Sequence, residues 1–181
     1  MGTAFDEKRA TQIAIRFLEL GAGNLPRIVL GKYMYVADRE ALKRWGYPLT
    51  WDQYYSLDYG PISSCVLSLS QGKKWPGFGL YWHKFIGHSV GNKPVNTLQE
   101  APRDTVVSQT VIDLVEEIFA DYKGRDIVEE SHHFPEYERP PKGKRLPITY
   151  LDILAGVGCG KPEEIAEELE EDLYARRALS N

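Results

Sequence analysis

Three groups of residues in this chain have side chains that can carry chemistry: spaced carboxylates, a histidine pair and a glycine-rich segment. The carboxylates Asp38, Asp52 and Asp58 flank an aromatic stretch. Two carboxylates in one cleft can act as a general acid and a general base. The same side chains also cap helices or pair with neighbouring arginines, and no GxSxG or other nucleophile signature accompanies them. The structural interpretation is therefore favoured, no catalytic residue is predicted, and we expect a protein that is not an enzyme.

The histidines do not have the spacing of metal ligands. His132 and His133 are adjacent, and adjacent residues point in different directions on a helix. His83 and His88 belong to a separate segment, whereas a closed zinc site needs four recognisable ligands. No metal site is predicted, and we expect one histidine of the pair to be buried and hydrogen-bonded near the core.

The segment "GVGCGKPEE" superficially suggests a phosphate-binding loop. A P-loop requires glycine, four residues and then Gly-Lys-Ser/Thr after a strand. Here Ala155 stands at the position of the first glycine, and Pro162 replaces the hydroxyl that would bind magnesium. We interpret the segment as a linker in which Pro162 begins the last helix, and no cofactor is predicted.

Aromatic side chains are concentrated between residues 45 and 59. Tyrosine and tryptophan combine an apolar body with a polar tip, which makes them common both in cores and as anchors of interfaces. Both interpretations stay open for this stretch. The residues proposed to bind a partner are Trp51, Asp52, Tyr54, Tyr55, Asp58 and Tyr59.

The composition of the 181-residue chain restricts its class. Hydrophobic residues make up 43% of it, which is enough for a packed core, and the net charge of −4 lacks the basic surplus of a general nucleic-acid binder. The two cysteines, Cys65 and Cys159, form no disulfide pattern, which indicates reduced thiols. Because there is neither a signal-peptide pattern nor an apolar run long enough for a membrane span, we expect a cytoplasmic protein.

The periodicity of apolar residues predicts a mainly α fold of the α+β kind. Helical patterns cover residues 5–20, 25–45 and 108–122, and the last of these has Ser108 as its N-cap. An extended aromatic stretch is expected to turn at Gly60, with Pro61 as the first residue of a short helix. A small β-hairpin or extended arm is predicted around Gly91. The expected organisation is a helical domain over residues 1–155, with a variable arm at 75–98, followed by a linker and an acidic helix over 156–181 that packs on the domain or extends from it.

The segment "YMYVADREALKRWGYPLTWDQYYSLDYGPISSCVLSL" resembles the signature of the Panacea domain, found in SocA-like antitoxins and other phage-associated proteins. In the second half of the chain, "IVEESHHFPEY" is similar to a later family segment that contains a Thr-His pair and an aromatic residue. The resemblance extends from about residue 10 to residue 154. The positions that carry the motif include Asp38, Gly60, Pro61 and His132.

The resemblance implies an antitoxin of a bacterial toxin–antitoxin system that neutralises a toxin encoded beside it by direct protein contact. One branch of the family delivers its toxin to an AAA+ protease, so that protease is a second implied partner. Two alternatives stay open: a phage- or prophage-encoded protein that inhibits a host factor, and an enzyme that uses Asp38, Asp52 or His132. The acidic helix from Pro162 to Leu179 is a second candidate surface, because toxins that act on RNA or translation are often basic.

Overall fold

The computed structural model describes residues 4–74, 78–91, 93–102 and 105–179, and it confirms a mainly α fold with small antiparallel sheets. In chain order, the elements are α1 (Glu7–Leu20), β1 (Asn24–Leu25), α2 (Arg27–Trp45), β2 (Tyr54–Leu57), β3 (Gly60–Ser63), α3 (Ser64–Ser70), α4 (Trp82–Phe85), β4 (Val95–Asn96), α5 (Gln109–Asp121), α6 (Ile127–Ser131), β5 (Leu146–Ile148), α7 (Tyr150–Gly156) and α8 (Pro162–Leu179).

The central layer consists of α1, α2 and α5, which pack against one another. Side-chain caps determine where α1 and α5 begin. The Asp6 side chain accepts from the backbone N–H of Arg9 at the start of α1, and the Ser108 hydroxyl accepts from that of Val111 at the start of α5. The predicted cap at Ser108 is thus confirmed. Apolar residues from all three helices form the main core, including Ile13, Phe17, Leu30, Met34, Val115 and Ile118.

Strands β3, β2 and β5 form an antiparallel sheet in that order. The prediction that Pro61 begins a helix is wrong, because Pro61 lies in β3 opposite Ser56 and α3 begins only at Ser64. Leu57 and Gly60 face each other across the hairpin, and the chain reverses at the two residues between them. Gly60 has a φ of +91°, so it completes the turn and lets Pro61 continue as a strand.

The 75–98 segment contains an isolated antiparallel bridge, between Ile86 and Thr97, in place of a longer hairpin or extended arm. Its strand β4 pairs with β1, with Leu25 opposite Val95, and α4 precedes it. Burial of this apolar pair in the main core explains the long-range pairing. Residues 75–77 and 92, which belong to the predicted arm, lie outside the described residues.

The C-terminal part contributes a second apolar cluster. Thr149 begins α7 with a capping box to Asp152, and α7 packs against α8. Ala166 and Leu169 of α8 are buried in this cluster beside Tyr35 of α2. In the part of the chain that the structure describes, no helix combines the length and apolar character needed to cross a membrane.

Candidate partner-binding site

The β2–β3 hairpin and the residues before it contain all six positions proposed to bind a partner, but the fold divides them. Trp51, Asp52 and Tyr54 are only 4%, 3% and 3% exposed, so the expectation that they form an open surface is corrected. Tyr55 and Asp58 are partly exposed, whereas Tyr59 at the turn is 67% exposed. A directly accessible patch therefore remains only at Tyr55, Asp58 and Tyr59, which we call the hairpin tip.

Trp51 and Tyr54 are buried because they join the hairpin to the C-terminal part. Both rings meet Tyr150 edge-on, with centroid distances of 6.1 Å from Trp51 and 6.0 Å from Tyr54. Arg176 of α8 also contacts Trp51, because its guanidinium lies 4.2 Å from the centroid of the Trp51 ring. The core interpretation of the aromatic stretch thus holds for these two side chains.

Asp38 connects α2 to the segment that leads into β2. Its carboxylate accepts the backbone N–H groups of Leu49 and Thr50 at 2.7 and 2.9 Å, the Thr50 hydroxyl, and the Tyr54 hydroxyl at 2.9 Å. Burial raises the pKa of Asp38, while the hydrogen bonds from Thr50, Tyr54 and Leu49 oppose that rise. This family-motif residue therefore holds two elements together.

Asp52 connects the segment before β2 to the start of α3. It accepts the backbone N–H groups of Cys65 at 2.8 Å and Val66 at 3.1 Å in the first turn of that helix, and that of Gln53 at 2.6 Å. Burial raises the pKa of Asp52 to about 6, against the lowering effect of these bonds. The carboxylate caps α3 from a distant position in the chain, which helps fix the hairpin relative to the helix.

Gly60 and Pro61 lie at a crowded contact between the hairpin, α2 and α6. A Cβ atom on Gly60 would lie 2.6 Å from both the Lys32 Nζ and the Ser131 Oγ, and 3.1 Å from the ring of His132. The Lys32 ammonium is completely buried and donates a 2.7 Å hydrogen bond to the Pro61 carbonyl. The Gly-Pro pair therefore allows the backbone to approach a buried cation.

Sequence reasoning missed Lys32. Burial lowers its pKa to about 7, which is far from its ordinary value. A signal was available, because Lys32 falls within the apolar stripe of α2 next to Tyr33 and Met34, where a solvated lysine is not expected.

The histidine expectation is only partly met. The ring of His132 stacks on Tyr137 with centroids 5.2 Å apart, and its Nδ1 lies 3.5 Å from a carboxylate oxygen of Glu129. The buried Nε2 of His132 has no hydrogen-bond partner in the described part of the chain, and His133 is exposed, so the expected burial is found in part but the expected hydrogen bond is not. Within the described ranges, no three His, Cys, Asp or Glu side chains are grouped as ligands of a metal ion.

Between the β2–β5 strands and α8 lies an open groove of about 220 Å³, here called the α8 groove. Its strand side combines aromatic, aliphatic and polar side chains, and α8 supplies Glu170, Leu173 and Arg177 on the other side. The lining includes Asp52, Tyr54, Tyr55, Tyr150, Glu170 and Arg177.

Comparison with known families assigns the chain. Residues 30–137, which hold most of α2 and all of the hairpin, α5 and α6, match the family described as "Antitoxin SocA-like, Panacea domain". This span is more than half of the chain, and the protein belongs to that family. No curated protein and no solved structure matches the chain.

Proposed function

We propose that this protein is an antitoxin that neutralises a cognate toxin by binding it directly. The observation that supports the proposal is the family match over residues 30–137, which covers the whole hairpin and the parts of α2 and α6 that pack against it. The motif residues Asp38, Gly60 and Pro61 hold the hairpin against α2. The family motif thus supports a rigid platform on which contact residues are displayed.

Two surfaces are available to such a partner. The hairpin tip presents Tyr59 with 67% of its surface exposed, and aromatic anchors of this kind dominate binding at many interfaces. The outer face of α8 is acidic, with exposed Glu167, Glu168 and Glu171. A negative face favours encounter with a basic toxin, and its contribution to the association rate falls with added salt.

Growth rescue tests the proposal. Each small open reading frame next to the gene is expressed from an inducible promoter, with and without this protein. We expect one neighbour to stop growth alone and to be neutralised on co-expression, and the pair to co-purify. The absence of a toxic neighbour would contradict the proposal and favour a protein that acts on a host factor.

Two modes of neutralisation are separable in the same strains. Direct masking leaves the amount of toxin unchanged, whereas delivery to an AAA+ protease makes the toxin disappear in a protease-dependent manner. We propose masking as the primary mode, and we expect immunoblots of the toxin to give equal levels in protease-proficient and protease-deficient cells. Loss of the toxin only in the proficient cells would establish the adaptor mode instead.

A further inference from the structure

The α8 groove contains a buried polar group that the fold leaves unused. The hydroxyl of Tyr150 has no hydrogen-bond partner among the residues that the structure describes, although Tyr150 is only 5% exposed. A buried hydroxyl without a partner costs free energy, on the order of 1–3 kcal/mol. An incoming donor in the groove would satisfy its oxygen.

The surroundings of this hydroxyl favour a positively charged donor. Burial together with the negative charges of Asp38, Glu170 and Asp52 raises the pKa of Tyr150, and Arg177 opposes that effect. Asp52 and Glu170 line the groove itself, where Arg177 is the cation among the described lining residues. Glu170 is the exposed carboxylate of the two, because Asp52 is buried and already accepts three backbone N–H groups.

The aromatic wall has a chemistry that suits a guanidinium group. The chain already places Arg176 over the Trp51 ring at 4.2 Å and Arg145 over the Tyr55 ring at 4.3 Å, both measured to the ring centroid. Arginine stacks on aromatic faces and pairs with carboxylates through a planar fork, which lysine cannot do. Of the tyrosines that line the groove, Tyr55 is partly exposed and offers this kind of surface.

We propose that the α8 groove receives an arginine side chain of the toxin, with its guanidinium between Glu170 and the Tyr150 hydroxyl. This inference rests on the proposed antitoxin function and names the docking point for it. The groove is built from two parts of the chain. The β2 part of its strand wall belongs to the matched family span, whereas the β5 part and Tyr150, Glu170 and Arg177 lie beyond residue 137. The C-terminal part would therefore select which toxin is bound.

A titration that needs no toxin tests the groove itself. The full chain, with tyrosines labelled by carbon-13, is titrated with arginine blocked at both ends, and the tyrosine ring signals are followed by NMR. Blocked citrulline, which has the same shape without the charge, is the matched probe. We expect saturable shifts of the Tyr54 and Tyr150 signals with blocked arginine alone. The signal that is lost in the variant Tyr150→Phe is assigned to Tyr150. Equal shifts with both probes, or no saturation with either, would overturn the proposal.

Two charge variants on the same helix locate the contact. Glu170→Gln removes the groove carboxylate and should weaken the binding of blocked arginine about fivefold, because a charge-assisted bond is lost. Glu168 is also exposed on α8 but does not line the groove, so Glu168→Gln should leave the affinity unchanged. An equal effect of both variants would indicate attraction by the acidic helix as a whole and would contradict the groove.

Growth rescue then connects the groove to the toxin. Glu170→Lys should abolish rescue, whereas Glu168→Lys, which changes the net charge by the same amount, should retain it. If the wild-type chain rescues no neighbour, the antitoxin function fails while the titration still reports on the groove. If rescue survives Glu170→Lys, the toxin docks elsewhere and this inference is wrong.

Discussion

At Gly60, both the backbone conformation and the close packing disfavour a side chain. Its φ of +91° is disfavoured for any residue with a Cβ atom, and that atom would collide with Lys32 and Ser131. We therefore expect Gly60→Ala to lower the free energy of unfolding by about 2–4 kcal/mol, measured by urea denaturation.

Gly124 provides the matched control for this variant. It has a φ of +78°, but among the described residues no atom apart from its chain neighbours lies within 4 Å of the position of its Cβ. Gly124→Ala should therefore lower the free energy of unfolding by only about 1 kcal/mol, because only the backbone conformation disfavours alanine there. Equal losses for the two variants would mean that the contact with Lys32 and Ser131 contributes nothing.

The buried ammonium of Lys32 should be visible in the pH dependence of stability. Its pKa is lowered to about 7 in the folded protein, against an ordinary value of about 10.4 in the unfolded chain. Between these values the unfolded chain binds more protons, so the contribution of Lys32 to stability rises with pH, by up to about 1.4 kcal/mol per pH unit. Below pH 7 both states are protonated, and the full cost of the buried charge remains.

The variant Lys32→Met isolates this effect, because all other titrating groups are shared with the wild type. We expect the stability of the variant relative to the wild type to fall steadily from pH 7 to pH 9.5, as followed by thermal or urea unfolding at each pH. A difference that is constant across this range would contradict a buried lysine with a lowered pKa.

At the scale of elements, one carboxylate joins α2 to the segment after α6. The side chain of Glu136 is completely buried, and it accepts a 2.7 Å hydrogen bond from the Arg39 Nε and a 2.9 Å bond from the Tyr35 hydroxyl. The guanidinium of Arg39 also lies 4.3 Å from the centroid of the Phe134 ring. This contact fixes the end of the family span against the central helix.

Removal of that carboxylate takes away the closer of two counter-charges of the largely buried Arg39, whose ion pair with Glu40 is longer, at 3.7 Å. Glu136→Ala should therefore lower the free energy of unfolding by about 3–5 kcal/mol. Glu138, two residues later, is exposed, and Glu138→Ala should change stability by less than about 0.5 kcal/mol. The comparison is made by urea denaturation, and similar values for both variants would show that the ion pair does not hold these elements together.

The elements also differ in how well the sequence predicted them. The long helices α1, α2 and α5 follow from apolar residues at helical spacing, and their limits from caps such as Ser108. The pairing of β1 with β4 could not be predicted, because each strand has only two residues and their partners are about 70 positions apart. The position of Pro61 was misassigned because its fixed φ suits both a helix start and a strand at a hairpin.

At the scale of the whole molecule, we propose different roles for the residues inside the family match and for those beyond it. Residues 30–137 hold the hairpin in place through buried polar contacts of Asp38, Asp52 and Lys32. The C-terminal helices cover the sheet and complete the α8 groove. A shared platform with a separate selecting part is what a family that serves different partners would need.

The sequence by itself determined the fold class, the long helices and the family, because periodic apolar residues and a motif of consecutive positions are local properties. It also indicated that the stretch around residues 51–59 matters. Only the tertiary structure decided which of these side chains are accessible. Trp51 and Tyr54 became core residues when α7 and α8 covered them, while Tyr59 stayed exposed at the turn. The Tyr150 hydroxyl became a site for the same reason: burial depends on which distant elements meet, and no local pattern contains that information.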